Sequence, residues 1–368
     1  MSFTITKKAL VDAMAFLARV AEKRNTIPIL SHVRMEVDGP RLTLTATDLD
    51  IEAKTTVEVE AKGRSTVTVQ AHMLHDIARK IADDGKISLS WEEHGSQAVL
   101  VSGRARFKLN VLPADDYPDL SAGDMQSRFR LSAPTLALML EKVSFAISTE
   151  ETRYYLNGVY LHHTDGKLVA VATDGHRLSR MWVAAPDGAE AMPGVIIPRK
   201  TVHEIARMMK DAEQDVELEF SASKCRIILG SKTLTSKLID GTFPDYERVI
   251  PRNNAKHMLV PREDLSKAVE RVSIVSAEKS RSLRLDVKAG SLTLTMNNPD
   301  NGTAEDEVPV DYKADDITIG FNSNYLGEAL NTLGGDDITF SFDTAGSPTL
   351  LTSSTHDNLT VVIMPMRV

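Results

Sequence analysis

A pattern of apolar and polar residues recurs three times along the chain. Strand-like runs containing Leu42, Leu168 and Leu292 each consist of apolar and small residues and end in a polar pair. The first two leucines are 126 positions apart, and the second and third are 124 positions apart. Two nearly equal steps indicate that a whole domain has been triplicated. The middle run ends in Asp174-Gly175, a dipeptide that tolerates the positive φ of a tight turn.

Apolar residues at helical spacing predict six helices, two in each repeat. The predicted apolar stripes are Leu10, Ala13, Met14, Leu17 and Ala21; Leu74, Ile77, Ala78 and Ile81; Leu136, Leu140, Val143 and Ile147; Val202, Ile205, Ala206 and Met209; Leu265, Val269 and Val272; and Leu326, Ala329, Leu330 and Leu333. Alternating segments between the helices predict strands, so the fold class is α+β with antiparallel sheets. The predicted domains are 1–125, 126–255 and 256–368.

A proline loop marks the end of the first two repeats. Tyr117-Pro118-Asp119 and Phe243-Pro244-Asp245 are again 126 positions apart. The third repeat has the C-terminal segment from Val362 to Arg367 in this place, with an apolar, β-prone sequence. We interpret this segment as an edge strand that lines a cleft near His176 and Arg177.

Composition narrows the class of protein. The chain has 368 residues, 42% hydrophobic and 26% charged, which is ordinary for a globular protein, and its net charge is −8. The single cysteine, Cys225, excludes an internal disulfide and any multi-cysteine zinc site. No apolar run approaches the roughly 18–20 residues that span a bilayer, and the N-terminus lacks a signal-peptide pattern. These features predict a cytoplasmic protein without a membrane partner.

Catalytic signatures are nearly missing from the sequence. There is no Walker loop or dinucleotide-binding fingerprint, and His203-Glu204 is followed by Arg207 where a zinc helix needs histidine. Ser276 and Lys279 match a serine–lysine hydrolase spacing without the other elements of such enzymes. A triplicated enzyme using His176 and Asp174 is one hypothesis, but ligand contact is favoured over catalysis. We therefore predict no catalytic residue, no metal and no cofactor.

Basic residues recur on the predicted helices, away from the apolar stripes. They are Arg19, Lys23, Arg79, Lys80, Lys142, Lys200, Arg207, Lys210, Lys267 and Arg271, while the sixth helix carries only Glu328. Acidic clusters, including Glu305, Asp306 and Glu307, are expected in loops. This distribution favours a shared basic surface that attracts phosphates without reading a nucleotide sequence.

Four motifs in order carry a resemblance to a known family. Arg153-Tyr154-Tyr155-Leu156-Asn157-Gly158, Ala172-Thr173-Asp174-Gly175-His176-Arg177-Leu178, Phe243-Pro244-Asp245-Tyr246 and Met364-Pro365-Met366-Arg367 resemble the bacterial sliding clamps, the beta subunits of DNA polymerase III. The resemblance covers the whole chain, including Thr26-Ile27-Pro28-Ile29-Leu30. It implies a DNA-clamp fold of three similar domains and a head-to-tail homodimer closed into a ring. Such a protein is a non-catalytic processivity factor that encircles double-stranded DNA.

The resemblance also implies a peptide-binding pocket between the second and third domains. In the family this pocket takes short linear motifs from the DNA polymerase III catalytic subunit, the clamp loader, other polymerases and repair proteins. Carried over to this chain, it comprises Leu156, Thr173, Gly175, His176, Arg177, Leu178, Pro244, Arg248, Val249, Asn322, Tyr325, Ser347, Val362, Ile363, Met364, Pro365, Met366 and Arg367. Methionine and aliphatic side chains give an adaptable apolar groove, with Arg and His at its polar rim. The last residue is Val368, where the family often has Leu.

Two further sets of residues follow from the resemblance. The positions expected to approach DNA are Arg24, Tyr154, Tyr155, Arg199 and Lys200. The expected dimer contact pairs Phe107 and Leu109 of one subunit with Ile274 and Val275 of the other. Met73 stands where the family often has a basic residue, whereas the acidic partner segment Glu305-Asp306-Glu307 is present. The alternative to a ring is a monomeric peptide-binding scaffold that does not encircle DNA.

Overall fold

The computed structural model describes residues 1–24, 26–82, 85–93, 95–120, 123–276 and 281–368. Residues 277–279 of the serine–lysine spacing lie outside the described residues. The described chain divides into two compact units. The first unit comprises Met1–Pro134, Asp187–Pro193 and His203–Leu238, and the second comprises Thr135–Pro186, Gly194–Val202 and Ile239–Val368.

The part of the chain that the structure describes forms six α-helices, which lie where the apolar stripes predict them. They are α1 (Lys7–Leu17), α2 (Ala71–Lys80), α3 (Ala133–Ser144), α4 (Arg199–Met209), α5 (Arg262–Ser273) and α6 (Ser323–Leu333). Three stripes were predicted too long, because Ala21, Ile81 and Ile147 follow the helix ends. After α3, the N–H of Ile147 donates to the carbonyl of Ser144, three residues back. This tighter turn ends the α-helix while keeping Ile147 buried.

Antiparallel strands make up most of the remaining chain. The first fourteen are β1 (Ser2–Thr6), β2 (His32–Asp38), β3 (Arg41–Thr47), β4 (Ile51–Glu58), β5 (Glu60–Ala61), β6 (Arg64–Gln70), β7 (Lys86–Trp91), β8 (Gln97–Ser102), β9 (Ala105–Asn110), β10 (Ser127–Ser132), β11 (Gly158–Thr164), β12 (Lys167–Thr173), β13 (Arg177–Ala184) and β14 (Val195–Pro198). The others are β15 (Asp215–Phe220), β16 (Lys224–Leu229), β17 (Lys232–Lys237), β18 (Lys256–Pro261), β19 (Ser282–Lys288), β20 (Ser291–Asn298), β21 (Gly302–Pro309), β22 (Asp311–Tyr312), β23 (Ile317–Asn322), β24 (Asp337–Phe342), β25 (Thr349–Ser353) and β26 (His356–Ile363).

Each unit contains two sheets. The first unit holds a five-stranded sheet in the order β5-β1-β7-β8-β9 and an eight-stranded sheet in the order β10-β15-β16-β17-β4-β3-β2-β6. The second unit holds a nine-stranded sheet in the order β14-β11-β12-β13-β26-β25-β24-β18-β22 and a four-stranded sheet in the order β21-β20-β19-β23. The predicted α+β class with antiparallel sheets is confirmed.

The triple repeat is visible in the strand pairing. The three runs that revealed it become β3, β12 and β20, and each is the central strand of an antiparallel meander, β2-β3-β4, β11-β12-β13 or β19-β20-β21. The last strand of one repeat then joins the meander of the repeat before it. Thus β17 pairs with β4 inside the first unit, and β26 pairs with β13 inside the second.

The central strand β12 is buried on both faces. Successive side chains of a strand point to opposite faces of its sheet, yet all five residues from Leu168 to Ala172 are fully buried. Val169 and Val171 pack in a cluster with Leu178 and Ile196. The turn that follows β12 is therefore anchored to the interior of the second unit.

Two glycines of the second unit differ in the room that they leave for a side chain, and alanine substitutions at both positions test this packing. A Cβ atom on Gly158, in β11, would lie 2.2 Å from the carbonyl oxygen of Ile197 on the neighbouring strand, whereas one on Gly327, in α6, would meet nothing within 4 Å. Gly158→Ala should lower the free energy of unfolding by about 1–3 kcal/mol because the strands must move apart. Gly327→Ala should raise it by about 0.5–1 kcal/mol, since alanine favours a helix. Chemical unfolding of both variants checks this pair, and equal effects would contradict it.

Candidate functional site

The turn between β12 and β13 (the Asp174 turn, Thr173 to Arg177) is held by its own side chains. The Asp174 Oδ1 atom accepts hydrogen bonds from the N–H groups of His176, at 2.9 Å, and Arg177, at 3.0 Å. The Thr173 hydroxyl donates to the Arg177 carbonyl at 2.6 Å and accepts from the N–H of Gly175. Gly175 has a φ of +89°, the left-handed conformation that the Asp-Gly sequence predicts. His176 is left exposed at the tip of a rigid turn.

Arg177 is buried behind this turn, and each of its side-chain nitrogens has an acceptor. Nε donates to Asp174 Oδ2 at 3.1 Å, Nη1 donates to the Glu328 carboxylate, and Nη2 donates to the Phe145 carbonyl at 2.6 Å. The guanidinium also lies over the rings of Tyr325 and Phe145, with its carbon 4.3 and 5.1 Å from the ring centroids. We call these five residues the Arg177 cluster. Arg177 was predicted at the polar rim of the pocket. The structure buries it instead, where it contacts Asp174 and the ring of Tyr325.

Helix α6 places an aromatic side chain beside the turn. Asn322 caps this helix, because its side-chain oxygen accepts from the N–H groups of Asn324 and Tyr325. Within the first turn of the helix, the ring of Tyr325 lies 6.3 Å from that of His176, nearly parallel to it. The cap therefore fixes the helix start, and the helix start places Tyr325 against the Asp174 turn.

The C-terminal segment runs beside the turn. Strand β26 pairs Ile363 with Arg177 and Val362 with Leu178, and the N–H of Met364 then donates to the His176 carbonyl at 2.8 Å. Beyond this point Met364 and Met366 are exposed at 38% and 40%. The interpretation of Val362 and Ile363 as part of an edge strand is wrong, because β26 lies between β13 and β25. Both edges of β26 are hydrogen-bonded to neighbouring strands, β13 and β25. Only the segment after Ile363 therefore lines the surface beside the Asp174 turn.

Glycine allows the last residues to approach the neighbouring sheet. The N–H of Met366 donates to the carbonyl of Gly320, on β23, at 2.8 Å. A Cβ atom at position 320 would lie 2.6 Å from the Met366 carbonyl oxygen and 2.3 Å from a methyl carbon of Val368. Close backbone contact therefore holds the chain at Met366 against β23.

A buried apolar cluster forms the floor beneath these residues. It contains Leu156, Leu178, Phe243, Tyr246 and Val362, together with residues of β12 and β14. The Phe243 ring stacks on Tyr160 at 4.8 Å, and the Tyr246 hydroxyl shares a 2.9 Å hydrogen bond with Nε2 of His162. The floor, the Asp174 turn, Tyr325 and the C-terminal methionines constitute the candidate groove.

The remaining predicted groove residues belong to the same unit, where Arg248 and Val249 lie in a short 3-10 helix, Tyr246–Val249. Pro244 and Val249 are exposed, and the exposed Arg248 forms an ion pair with Asp245 at 2.6 Å. The hydrogen bonds of the Ser347 hydroxyl stay within its own loop, to Asp343 and Thr344. Pro365 is partly buried and Arg367 is exposed.

Four of the five residues expected near DNA lie in the second unit. The N–H of Arg199, the first residue of α4, donates to the carbonyl of Asn157 at 3.0 Å, which joins the start of α4 to the segment after Tyr154 and Tyr155. Arg199 and Lys200 are exposed, as is Tyr154. The fifth residue, Arg24, is exposed in the first unit.

Several basic side chains on the helices form ion pairs or hydrogen bonds with other groups of the same chain. In the first unit, the buried carboxylate of Glu204 pairs with Arg19 at 2.9 Å and with Arg207 at 2.7 Å. Lys142 was expected on an exposed helix face, but it is buried, and its ammonium donates to the Thr332 carbonyl at 2.5 Å. Lys267 and Arg271 pair with Glu263 and Asp306. In the described chain, Lys23, Arg79, Lys80 and Lys210 have no carboxylate within ion-pair distance.

The residues predicted for a subunit contact lie at sheet edges and a helix end. Phe107 and Leu109 lie on β9, at the edge of the five-stranded sheet, where Leu109 is buried and Phe107 lines a cavity of ≈ 880 Å³ with Met73 and Ile77. In the second unit, Ile274 follows α5 and is 80% exposed, which is extreme for an isoleucine. The acidic segment at 305–307 was expected in a loop, but it lies on the edge strand β21.

Sequence reasoning missed the partners of Arg177. Phe145 and Glu328 are 32 and 151 positions away from it, so no local pattern connects them. One signal was present, since Glu328 is the only charged residue of α6 and lies three positions after Tyr325, on the same helix face.

The described residues were searched for a membrane-spanning helix and for a group of side chains that could bind a metal ion. Among the described residues, no helix is long and apolar enough to cross a membrane. Within those residues, no group of three or more His, Cys, Asp or Glu side chains could hold a metal ion.

The repeated α+β fold is that of solved sliding clamps and defines a protein of the DNA-clamp class. The chain matches the family models for the N-terminal, central and C-terminal domains of the DNA polymerase III beta subunit over residues 1–121, 130–245 and 247–367. These matches cover nearly the whole chain, and the chain belongs to this family, the beta sliding clamps.

Curated relatives and solved structures agree with this assignment. The chain is 44% identical over 372 residues to the beta sliding clamp of Caulobacter vibrioides and 38% identical over 369 residues to that of Pseudomonas aeruginosa, with full coverage of both chains in each case. A sliding clamp from Bartonella birtlesii, solved bound to griselimycin, has a TM-score of 0.97 at 43% identity, with full coverage of both chains. A Caulobacter crescentus clamp has a TM-score of 0.96 at 44% identity, also with full coverage of both chains. The family is a non-catalytic processivity factor of DNA polymerase III.

The hydrogen bond beneath the groove floor gives a pH-dependent prediction. Burial lowers the pKa of His162 below its ordinary value of 6.5, so the fold favours the neutral ring. The stability that depends on the neutral ring is present above pH 6.5 and is lost as the pH falls through the lowered pKa. His162→Gln, which keeps a polar partner for Tyr246, should therefore lose less thermal stability than the wild type between about pH 7.5 and about pH 5. Melting curves that shift in parallel for the two proteins would contradict this account.

Proposed function

We propose that this chain is a DNA sliding clamp whose two copies close head to tail into a ring around duplex DNA. The observation that carries the proposal is the groove of the second unit, in a chain that belongs to the beta sliding clamp family. The ring tethers the replicative polymerase, the clamp loader and repair proteins in the cytoplasm, through short peptides that enter this groove. The monomeric scaffold alternative is not favoured, because the chain shares its full length with sliding clamps.

The proposed domains are 1–125, 126–255 and 256–368, three in each subunit. The positions of the three family-model matches support this division. Six domains in two subunits would complete one turn of a head-to-tail ring, because contacts of this kind close only when their rotation fits a full circle.

The groove is suited to an extended peptide with apolar anchors. Two backbone N–H groups of its C-terminal segment are already used, since those of Met364 and Met366 donate to the carbonyls of His176 and Gly320. Recognition therefore depends on side chains that enter the apolar floor between the flexible methionines. His176 and the exposed Arg367 supply polar contacts at the rim. The griselimycin complex of the Bartonella birtlesii clamp supports a ligand site in this fold.

DNA contact by this clamp is electrostatic and weak. Internal ion pairs occupy Arg19 and Arg207, which leaves residues such as Arg24, Lys23 and Arg79 for phosphates. Topological closure needs no tight binding, and a low number of free cations lets the ring move along the duplex. Binding to short duplexes should accordingly depend on salt and not on nucleotide sequence.

Retention on closed DNA tests the ring. The protein loaded on nicked circular DNA should stay bound and should leave once the same DNA is linearised. Ile274→Ala combined with Val275→Ala removes two aliphatic contacts of the proposed dimer, worth about 2–5 kcal/mol in total if both are buried there. This variant should sediment as a monomer at micromolar concentration and lose retention. A full dimer of the variant that still stays on circles would exclude these residues from the contact.

Removal of the C-terminal segment tests the groove. A variant lacking residues 364–368 loses the two methionine walls, and anchor residues of this kind typically contribute about 2 kcal/mol or more to binding. The affinity for a labelled polymerase-tail peptide should fall at least about thirtyfold while the dimer remains intact. The double variant Met364→Ala, Met366→Ala keeps the backbone and should show a large part of the loss. Unchanged affinity would place the groove elsewhere, and loss of the dimer would assign the segment to the ring contact.

A further inference from the structure

The Arg177 cluster carries two carboxylates for one guanidinium. Asp174 belongs to the same turn as Arg177, so its contact helps to close that turn. Glu328 comes from α6, and no turn geometry requires its carboxylate to reach Arg177. The side chain of Glu328 is about half exposed, at 52%, whereas that of Arg177 is 8% exposed. The contact thus joins a buried cation to an acidic group that faces the surface beside the groove.

The position of Glu328 relates it directly to the groove wall. Tyr325 precedes it by three residues on α6 and lies against both His176 and Arg177. The guanidinium therefore stands directly behind the aromatic wall that a bound peptide would meet. With Glu328 and Asp174 in contact, the wall presents to the peptide no unpaired positive charge from Arg177.

We propose that Glu328 determines the charge preference of the groove, because together with Asp174 it surrounds the single guanidinium of Arg177 with two carboxylates and leaves this wall slightly acidic. This inference rests on the proposed peptide-binding function and adds its specificity. An acidic peptide side chain near this wall would meet the Glu328 carboxylate and gain nothing from Arg177, because each guanidinium nitrogen already has an acceptor. The groove consequently disfavours acidic residues at the peptide position nearest Tyr325.

A pair of changes, one in the protein and one in the peptide, tests the proposal. Glu328→Gln removes the charge while keeping a hydrogen-bond acceptor for Arg177. The probes are one neutral, apolar peptide and a series in which single positions carry Gln or the isosteric Glu. In the wild type the Glu form should bind more weakly at the position next to the wall. In Glu328→Gln the Glu-to-Gln affinity ratio at that position should rise about two- to fivefold, the range expected for partly exposed charge pairs.

A matched variant separates a local effect from a change in overall charge. Glu141→Gln makes the same change of charge at an exposed position on α3, in the same unit. It should leave the affinity ratio as in the wild type at every peptide position. Glu328→Ala serves as a second variant. Thermal melting of both Glu328 variants shows whether either folds poorly, and the test then relies on the other. Both should raise the ratio at the same single position.

The outcomes distinguish this inference from the proposed function. If the wild type binds none of the peptides, the groove assignment itself fails. If the wild type binds them but the ratio is unchanged in Glu328→Gln, or rises equally at all positions and in Glu141→Gln, then Glu328 has no local role in specificity. A rise confined to one position and to the Glu328 variants supports the proposal.

Discussion

The antiparallel ladder between β13 and β26 is the constraint on which the groove depends. It sets Leu178 beside Val362, so that both side chains enter the apolar floor, and it delivers Met364 to the carbonyl of His176. A shift of this register by one residue would turn Val362 to the opposite face of the sheet. The positions of the floor, the turn and the methionines are therefore set together by one set of backbone hydrogen bonds.

The repeated fold uses the same turn twice with different chemistry. Thr47 and Asp48 hold the turn after β3 with the hydrogen bonds that Thr173 and Asp174 make after β12, and Leu49 has a φ of +80° where Gly175 has +89°. In the first copy, however, Glu52 follows the turn where the other copy has Leu178. Burial raises the pKa of Glu52, and its carboxylate accepts the N–H of Leu120 from the same unit. In the second copy, Leu178 instead joins the buried apolar cluster that forms the floor.

Internal ion pairs determine which basic side chains of this acidic chain remain available to bind phosphates. Glu204 holds Arg19 and Arg207, and Asp174 with Glu328 holds Arg177. A buried carboxylate that stays ionised, such as that of Glu204, needs a cation near it, since an unpaired buried charge is strongly unfavourable. The basic residues available to phosphates are for this reason fewer than the helices carry. The weak, sequence-independent hold on DNA and the slightly acidic groove wall that we propose follow from the same requirement.

The sequence by itself determined the triple repeat, the six helices and the Asp174 turn, because these depend on spacing and on residues close together in the chain. Leu168 and its counterparts, the helix stripes and the left-handed Gly175 all follow from such local rules. Only the tertiary structure decided that β26 is an inner strand, that Lys142 is buried against Thr332, and that Arg177 belongs to the wall. The contacts of Lys142 and Arg177 join residues 190 and 151 positions apart, and no local pattern encodes which distant partner satisfies a buried charge.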